Sequence, residues 1–213
     1  VGVIMPYLTH PPVQHLIHML PVAEHSVEVE ASFWLPVCTD AGQQPVHDAI
    51  FAGQPVVRIT RQWLRTNAQL SPNVRAAGAL LWGYPSGARG ALHRRWLENL
   101  PQLAAASAAD LGWPDYYAGL HGIGGLGIST ISKLACFFGR NFGGHHALIL
   151  DQRILRVLSS GRWAELAALQ DLTYLQAPAR YPDYLAAMET VAGNGGYSAE
   201  QLEFFLFALG ESF

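Results

Sequence analysis

Residues 120–136 read Leu-His-Gly-Ile-Gly-Gly-Leu-Gly-Ile-Ser-Thr-Ile-Ser-Lys-Leu-Ala-Cys. Four glycines, Gly122, Gly124, Gly125 and Gly127, fall within six positions, ahead of an apolar-periodic stretch that reads as a helix to about Phe138. Such a glycine density breaks regular structure and permits a tight reversal. Three readings fit. Taken literally, Gly122, Gly124 and Gly127 satisfy G-x-G-x-x-G, and Asp151 ends an apolar run about where a ribose-binding acid falls in a dinucleotide fold. That fingerprint needs a buried strand ahead of it, and Trp113-Pro-Asp-Tyr-Tyr-Ala-Gly-Leu120 makes a poor one. The second reading is a helix–helix turn with no ligand. The third is a helix-hairpin-helix, whose consecutive backbone N–H groups at a positive helix terminus bind a DNA phosphate without reading a base.

Composition narrows the field. The 213 residues are 50% apolar and 14% charged, with six tryptophans, which suits a soluble globular chain with a real core and argues against long disorder. No apolar run approaches membrane-spanning length. The start, Val1 to Pro6, carries no basic region or long apolar run of a secretory signal, so an intracellular, cytoplasmic protein is expected. Two distant cysteines, Cys38 and Cys136, exclude a disulfide framework, a four-thiolate zinc site and a four-cysteine iron–sulfur cluster. Nine histidines include His15 and His18 a helical turn apart and the adjacent His145 and His146, but none shows metal-ligand spacing, and no metal is expected.

The net charge of −3 hides a pattern. Residues 1–50 hold five acids and no lysine or arginine; residues 51–97 hold seven arginines (58, 61, 65, 75, 89, 94, 95) and no acid. Basic charge focused in part of an acidic protein is what a phosphate-tracking groove requires. Lys133 is the sole lysine, so the cations are almost all guanidiniums suited to bidentate contact.

Residues 1–57, rich in Pro and His, read as an irregular layer with a strand or two, the run Val27–Val37 looking extended. Residues 58–213 read as a helical domain. Ser71-Pro72 opens a helix to about Trp82, and one helix is expected near 91–109. Others are expected over 152–159 and from Pro182 toward Val191. Ser198-Ala-Glu-Gln201 forms a capping box for the last one. The fold class is mostly α with a small irregular, strand-containing N-terminal layer.

The hairpin followed by Ala147-Leu-Ile-Leu-Asp151-Gln-Arg-Ile-Leu-Arg-Val-Leu158 resembles the helix-hairpin-helix DNA glycosylase superfamily, in its 8-oxoguanine glycosylase branch. Weaker likeness extends through Leu80-Leu-Trp-Gly-Tyr-Pro-Ser-Gly-Ala-Arg89 and Leu202-Glu-Phe-Phe-Leu-Phe-Ala-Leu-Gly210 to bacterial proteins of that fold, some acting against phages with modified cytosines. The resemblance implies double-stranded DNA as partner, a monomer, no nucleotide cofactor, and excision of a base flipped out of the duplex. It places the hairpin (Gly122, Gly124, Gly125, Gly127, Ser129) with Arg89 and Arg153 at the DNA. Asp151 becomes the acid that stabilises positive charge on the sugar as the base leaves. A helix N-cap is its plainer role. Trp82, Tyr84, Phe204 and Phe207 are candidates for the base pocket, each of them also a candidate for the core.

Bifunctional relatives carry a lysine in the hairpin that attacks C1′. Aligning Gly125-Leu-Gly127 with the family's Gly-x-Gly puts Ser129 at that position; aligning Gly122-Ile-Gly124 puts Leu126 there. Lys133 lies 18 residues before Asp151, near the family spacing, and one turn beyond Ser129; otherwise it is an ordinary exposed helix lysine. Hydrolysis assisted by Asp151 is the favoured mechanism, a Lys133 lyase the alternative, and a non-catalytic DNA-binding module the rival from another class.

Overall fold

The computed structural model describes residues 7–67, 69–87 and 91–212. In chain order the elements are α1 (Pro11–Met19), β1 (Ser26–Glu30), α2 (Ala31–Asp40), α3 (Gln44–Phe51), β2 (Val56–Thr60), α4 (Arg61–Thr66), α5 (Pro72–Gly83) and α6 (Ala91–Glu98). There follow α7 (Leu100–Ala108), α8 (Trp113–Gly122), α9 (Ile128–Phe137), β3 (Asn141–Phe142), β4 (His145–His146), α10 (Gln152–Ser159), α11 (Ala177–Gly195) and α12 (Ala199–Leu209). The chain is mostly α-helical, as expected, with two small antiparallel sheets, β1 with β2 and β3 with β4. No parallel pair occurs among the described residues, which removes the dinucleotide-fold reading of the glycines. No helix of the described residues is long and apolar enough to cross a membrane.

Two compact units form: Ala23–Arg140, and Val1–Val22 with Asn141–Phe213. In the first, α5 lies at the centre, packed on α3, α4, α7, α9 and β1, with every residue from Ala76 to Trp82 buried. Ser71 caps α5 by accepting from the Val74 N–H at 3.3 Å, with Pro72 at its first position. In the second, α12 collects α1, α10 and α11 on one core. Its N-terminus carries the expected capping box of Ser198 and Gln201.

Three expectations need correction. The extended look of Val27–Val37 holds only to Glu30; α2 takes over because Trp34 and Cys38, four apart, bury on one face and outweigh Pro36 inside the helix. The helix near 91–109 is two, broken at Asn99 (φ −103°, ψ 20°): Pro101 has no N–H to give the Leu97 carbonyl, as an unbroken helix would need, and fits instead in the first turn of α7. The helix anticipated from Pro182 begins at Ala177, and Pro182 lies inside it. Ala177, Tyr181, Tyr184, Leu185 and Met188 form a buried stripe whose burial overrides the local break.

Candidate functional site

The glycine run forms a hairpin between α8 and α9. The chain leaves α8 through the Ile123 N–H to Leu120 carbonyl bond at 3.0 Å and turns on Gly124 and Gly125, at φ 79° and 72°. Gly127 then caps α9, its carbonyl accepting from the N–H groups of Thr130 and Ile131 at 3.0 Å each. Among the described residues no acceptor takes the N–H groups of Gly127, Ile128 and Ser129. They sit where a helix dipole is most positive, which suits a phosphate oxygen.

The turn is fastened by side chains that composition did not single out. His121 bonds across it through Nδ1 to the Leu126 carbonyl at 2.7 Å and stacks on Tyr117, ring centroids 5.5 Å apart. Trp96 of α6 donates from Nε1 to the Gly124 carbonyl at 3.3 Å. A Cβ at Gly124 would stand 3.0 Å from Trp96 Cδ1 and 3.5 Å from Arg95 Cδ. Gly124 is thus needed both for its backbone and for the close approach of α6, while Arg95 is exposed with its stem beside the turn.

Lys133 is not an exposed helix lysine: it is 8% exposed. Its methylenes lie against Gly83, where a Cβ would come 3.3 Å from Lys133 Cδ. Its Nζ turns back along α9 to donate to the Ser129 hydroxyl at 2.8 Å and the Ser129 carbonyl at 3.2 Å. Long helical side chains point toward the N-terminus, so an amine carried on residue 133 ends beside residue 129.

Asp151 stands at the N-terminus of α10 and is half-buried. Its Oδ1 accepts from the N–H groups of Arg153 and Ile154 at 3.0 and 3.1 Å, the cap role anticipated for it. Arg153 lies over the ring of Phe207, guanidinium to centroid 5.2 Å. This sets the first turn of α10, with its carboxylate and its cation, against an aromatic face of α12.

The remaining candidates divide. Trp82 belongs to the last turn of α5 and not to the loop after it. Its buried ring meets His25 and Phe137 edge-on at 5.0 and 5.3 Å, so it serves the core and offers no open face to a base. Tyr84 is half-buried, its hydroxyl 3.0 Å from that of Thr130 on α9. Phe204 and Phe207 are half-buried on α12. Gly122 is exposed with an ordinary φ. Arg89 lies outside the described residues.

The basic stretch is not a surface stripe. Arg61 is 1% exposed with its guanidinium 5.5 Å from the Trp82 ring. Arg65 donates to the Cys136 sulfur at 2.9 Å, and Arg75 donates to the Asn67 carbonyl at 3.2 Å while lying over Phe138. Those three guanidiniums point inward, so counting charge along the chain overstated the groove. Neither Cys38 nor Cys136 is in a disulfide, both are buried, and the Cys38 thiol is pushed up to about 11 by burial. Among the described residues no group of three or more His, Cys, Asp or Glu could hold a metal ion.

A mostly helical chain whose glycine hairpin presents amides at a helix N-terminus is a helix-hairpin-helix protein. A family model described as "Putative 8-oxoguanine DNA glycosylase OGG-like protein" matches residues 20–207, and the chain belongs to that family. No curated protein and no solved structure matches it.

Proposed function

We propose that the protein is a DNA glycosylase that takes a damaged or modified base out of a duplex and cleaves its N-glycosidic bond with water, leaving an abasic site. Family membership supports the reaction class. The observation that carries the mechanism is the Asp151 carboxylate, held at the first turn of α10 by two backbone N–H groups and flanked by Arg153. In the proposed reaction its negative charge stabilises the oxocarbenium character at C1′ and orients the attacking water. The amides of Gly127, Ile128 and Ser129, with Gly122, Gly124 and Gly125 shaping the turn, hold a backbone phosphate, and Arg153 a second one. Phe204 and Phe207, on the helix whose face Arg153 lies over, supply aromatic surface for the extruded base.

Two substrate classes follow from the likenesses: an oxidised guanine, from the family's description, and a phage-modified cytosine such as glucosylated hydroxymethylcytosine, from the antiphage likeness. Incubation with duplexes carrying oxidised, deaminated, alkylated and phage-type bases, read by cleavage of the product at abasic sites, tests the proposal. Release from one class, lost in Asp151→Asn with affinity kept, is expected. Binding without release from any duplex would make the chain a non-catalytic module.

A specific observation favours a second reading. With Nζ 2.8 Å from the Ser129 hydroxyl, Lys133 brings an amine to the position that the family's nucleophile occupies by alignment. In that reaction unprotonated Nζ bonds to C1′ as the C1′–N bond breaks and the base leaves with the pair and takes up a proton; Nζ then gives up a proton as the C1′–O4′ bond opens, leaving a Schiff base on Lys133.

A further inference from the structure

Residues 147–150 run into Asp151 outside any helix or ladder, yet all four are buried. Backbone groups removed from water without a ladder must find other partners. Two side chains of α11 provide them. The Tyr181 hydroxyl accepts from the Leu148 N–H at 3.1 Å and donates to the Leu148 carbonyl; the Tyr184 hydroxyl donates to the Ile149 carbonyl at 2.9 Å. Both tyrosines are 0% exposed, with ring centroids 5.9 Å apart, and Phe142 meets Tyr181 edge-on. A phenol reaches such a depth intact only when its hydroxyl is paired. Here the pairing is spent on the peptide groups two and three residues before the α10 cap.

We propose that Tyr181 and Tyr184 are positioning residues for Asp151: their hydroxyls fix the backbone that leads into the cap, and so fix where the carboxylate projects. The catalytic part of this inference rests on the reading of Asp151 as the glycosylase acid; the part concerning the cap does not. Phenylalanine at either position keeps the ring and removes only the hydroxyl. The two changes therefore loosen the 148–151 backbone without opening a cavity.

The experiment compares wild type with Tyr181→Phe, Tyr184→Phe and the double variant by two readouts. The first is amide hydrogen exchange at Arg153 and Ile154, whose N–H groups Asp151 accepts. The second is single-turnover base release on the duplex class that wild type cleaves, alongside the Kd for that duplex. Tyr116→Phe, which removes a buried hydroxyl bonded to the Ser107 carbonyl in the other unit, is the control for a general loss of stability. The expected result is at least tenfold faster exchange at both amides and at least tenfold slower release, with Kd within twofold, none of it in Tyr116→Phe. Unchanged exchange in both single variants overturns the proposal, whether or not the double variant folds. Faster exchange with release within twofold overturns its catalytic part. If wild type releases no base, faster exchange still establishes the tyrosines as the anchor of the Asp151 cap, and only the glycosylase reading falls.

Discussion

The Nζ of Lys133 lies 2.8 Å from the hydroxyl of Ser129, one helical turn upstream. Along the sequence Lys133 stands four residues beyond Ser129, the position that one alignment gives to the family's lysine. The side chain recovers that turn by folding back along α9, and its burial against Gly83 keeps it there. The two mechanisms thus share an amine near the hairpin and differ in whether it forms a bond. Under the proposed hydrolysis, borohydride treatment during turnover gives no covalent adduct, and Lys133→Ala keeps base release within about tenfold of wild type, short of the roughly 100-fold or more that a group taking part in the chemistry contributes. A trapped adduct that disappears in Lys133→Ala would replace water with the lysine.

Asp151 can be tested as a cap and as an acid separately. Asparagine caps helices about as well as aspartate, whereas alanine costs about 1 kcal/mol. Asp151→Asn should therefore unfold in urea within about 0.5 kcal/mol of wild type, and Asp151→Ala about 1 kcal/mol earlier. Both should lose base release by roughly 100-fold or more, as expected for removal of a group that stabilises transition-state charge. Activity that follows the order of stability, with Asp151→Asn close to wild type, would reduce Asp151 to a cap.

Sequence and structure agree where the signal is local. Ser71-Pro72, the Ser198–Gln201 capping box and the hairpin glycines act through their own backbone, so neighbours in sequence are enough to read them. Agreement fails where packing decides. Nothing in the alternation of Val27–Val37 says that Trp34 and Cys38 will bury together and draw the chain into a helix. A count of arginines cannot tell that Arg61 lies beneath Trp82 while Arg95 stays outside. The anchoring of the Leu148 and Ile149 peptides by phenols 33 and 35 residues later leaves no periodic trace at all.

The two left-handed glycines of the hairpin should separate under substitution. A side chain at Gly125 meets open space, so Gly125→Ala pays only for its backbone, roughly 1–2 kcal/mol. Gly124→Ala has the same backbone cost and also brings a methyl to 3.0 Å from Trp96 Cδ1, so the indole that donates to the Gly124 carbonyl has to give way. Urea unfolding should find Gly124→Ala the less stable by roughly a further 1 kcal/mol or more, the scale of overpacking. Its affinity for unmodified duplex, measured by fluorescence anisotropy, should fall with it. Equal losses for the two variants would mean that Trp96 does not set the turn.

Arg95 is exposed beside the hairpin turn, an arrangement suited to a phosphate next to the one the amides hold. Arg95→Ala should weaken binding to every duplex alike. It should also reduce the slope of log K against log salt by about 0.9, the value for one phosphate contact on B-form DNA. Arg61→Ala should instead lower stability, because that guanidinium is packed under Trp82. An unchanged salt slope in Arg95→Ala would remove it from the interface.

His25 gives the Ala23–Arg140 unit a pH dependence of its own. Burial first, and the charge of Arg61 second, hold its imidazole at about 4, against 6.5 for the free side chain. Between those values the unfolded chain takes up a proton that the folded chain refuses. Stability therefore rises with pH across this window, and the contribution of His25 is lost as pH falls from about 6.5 toward 4. The ring faces Trp82 at 5.0 Å, so protonation would set a cation next to the Arg61 guanidinium in the same buried cluster. Thermal unfolding followed from pH 7.5 to 5 should show the midpoint of wild type falling more steeply than that of His25→Gln, whose side chain does not titrate. Parallel slopes for the two proteins would show that acid sensitivity arises elsewhere.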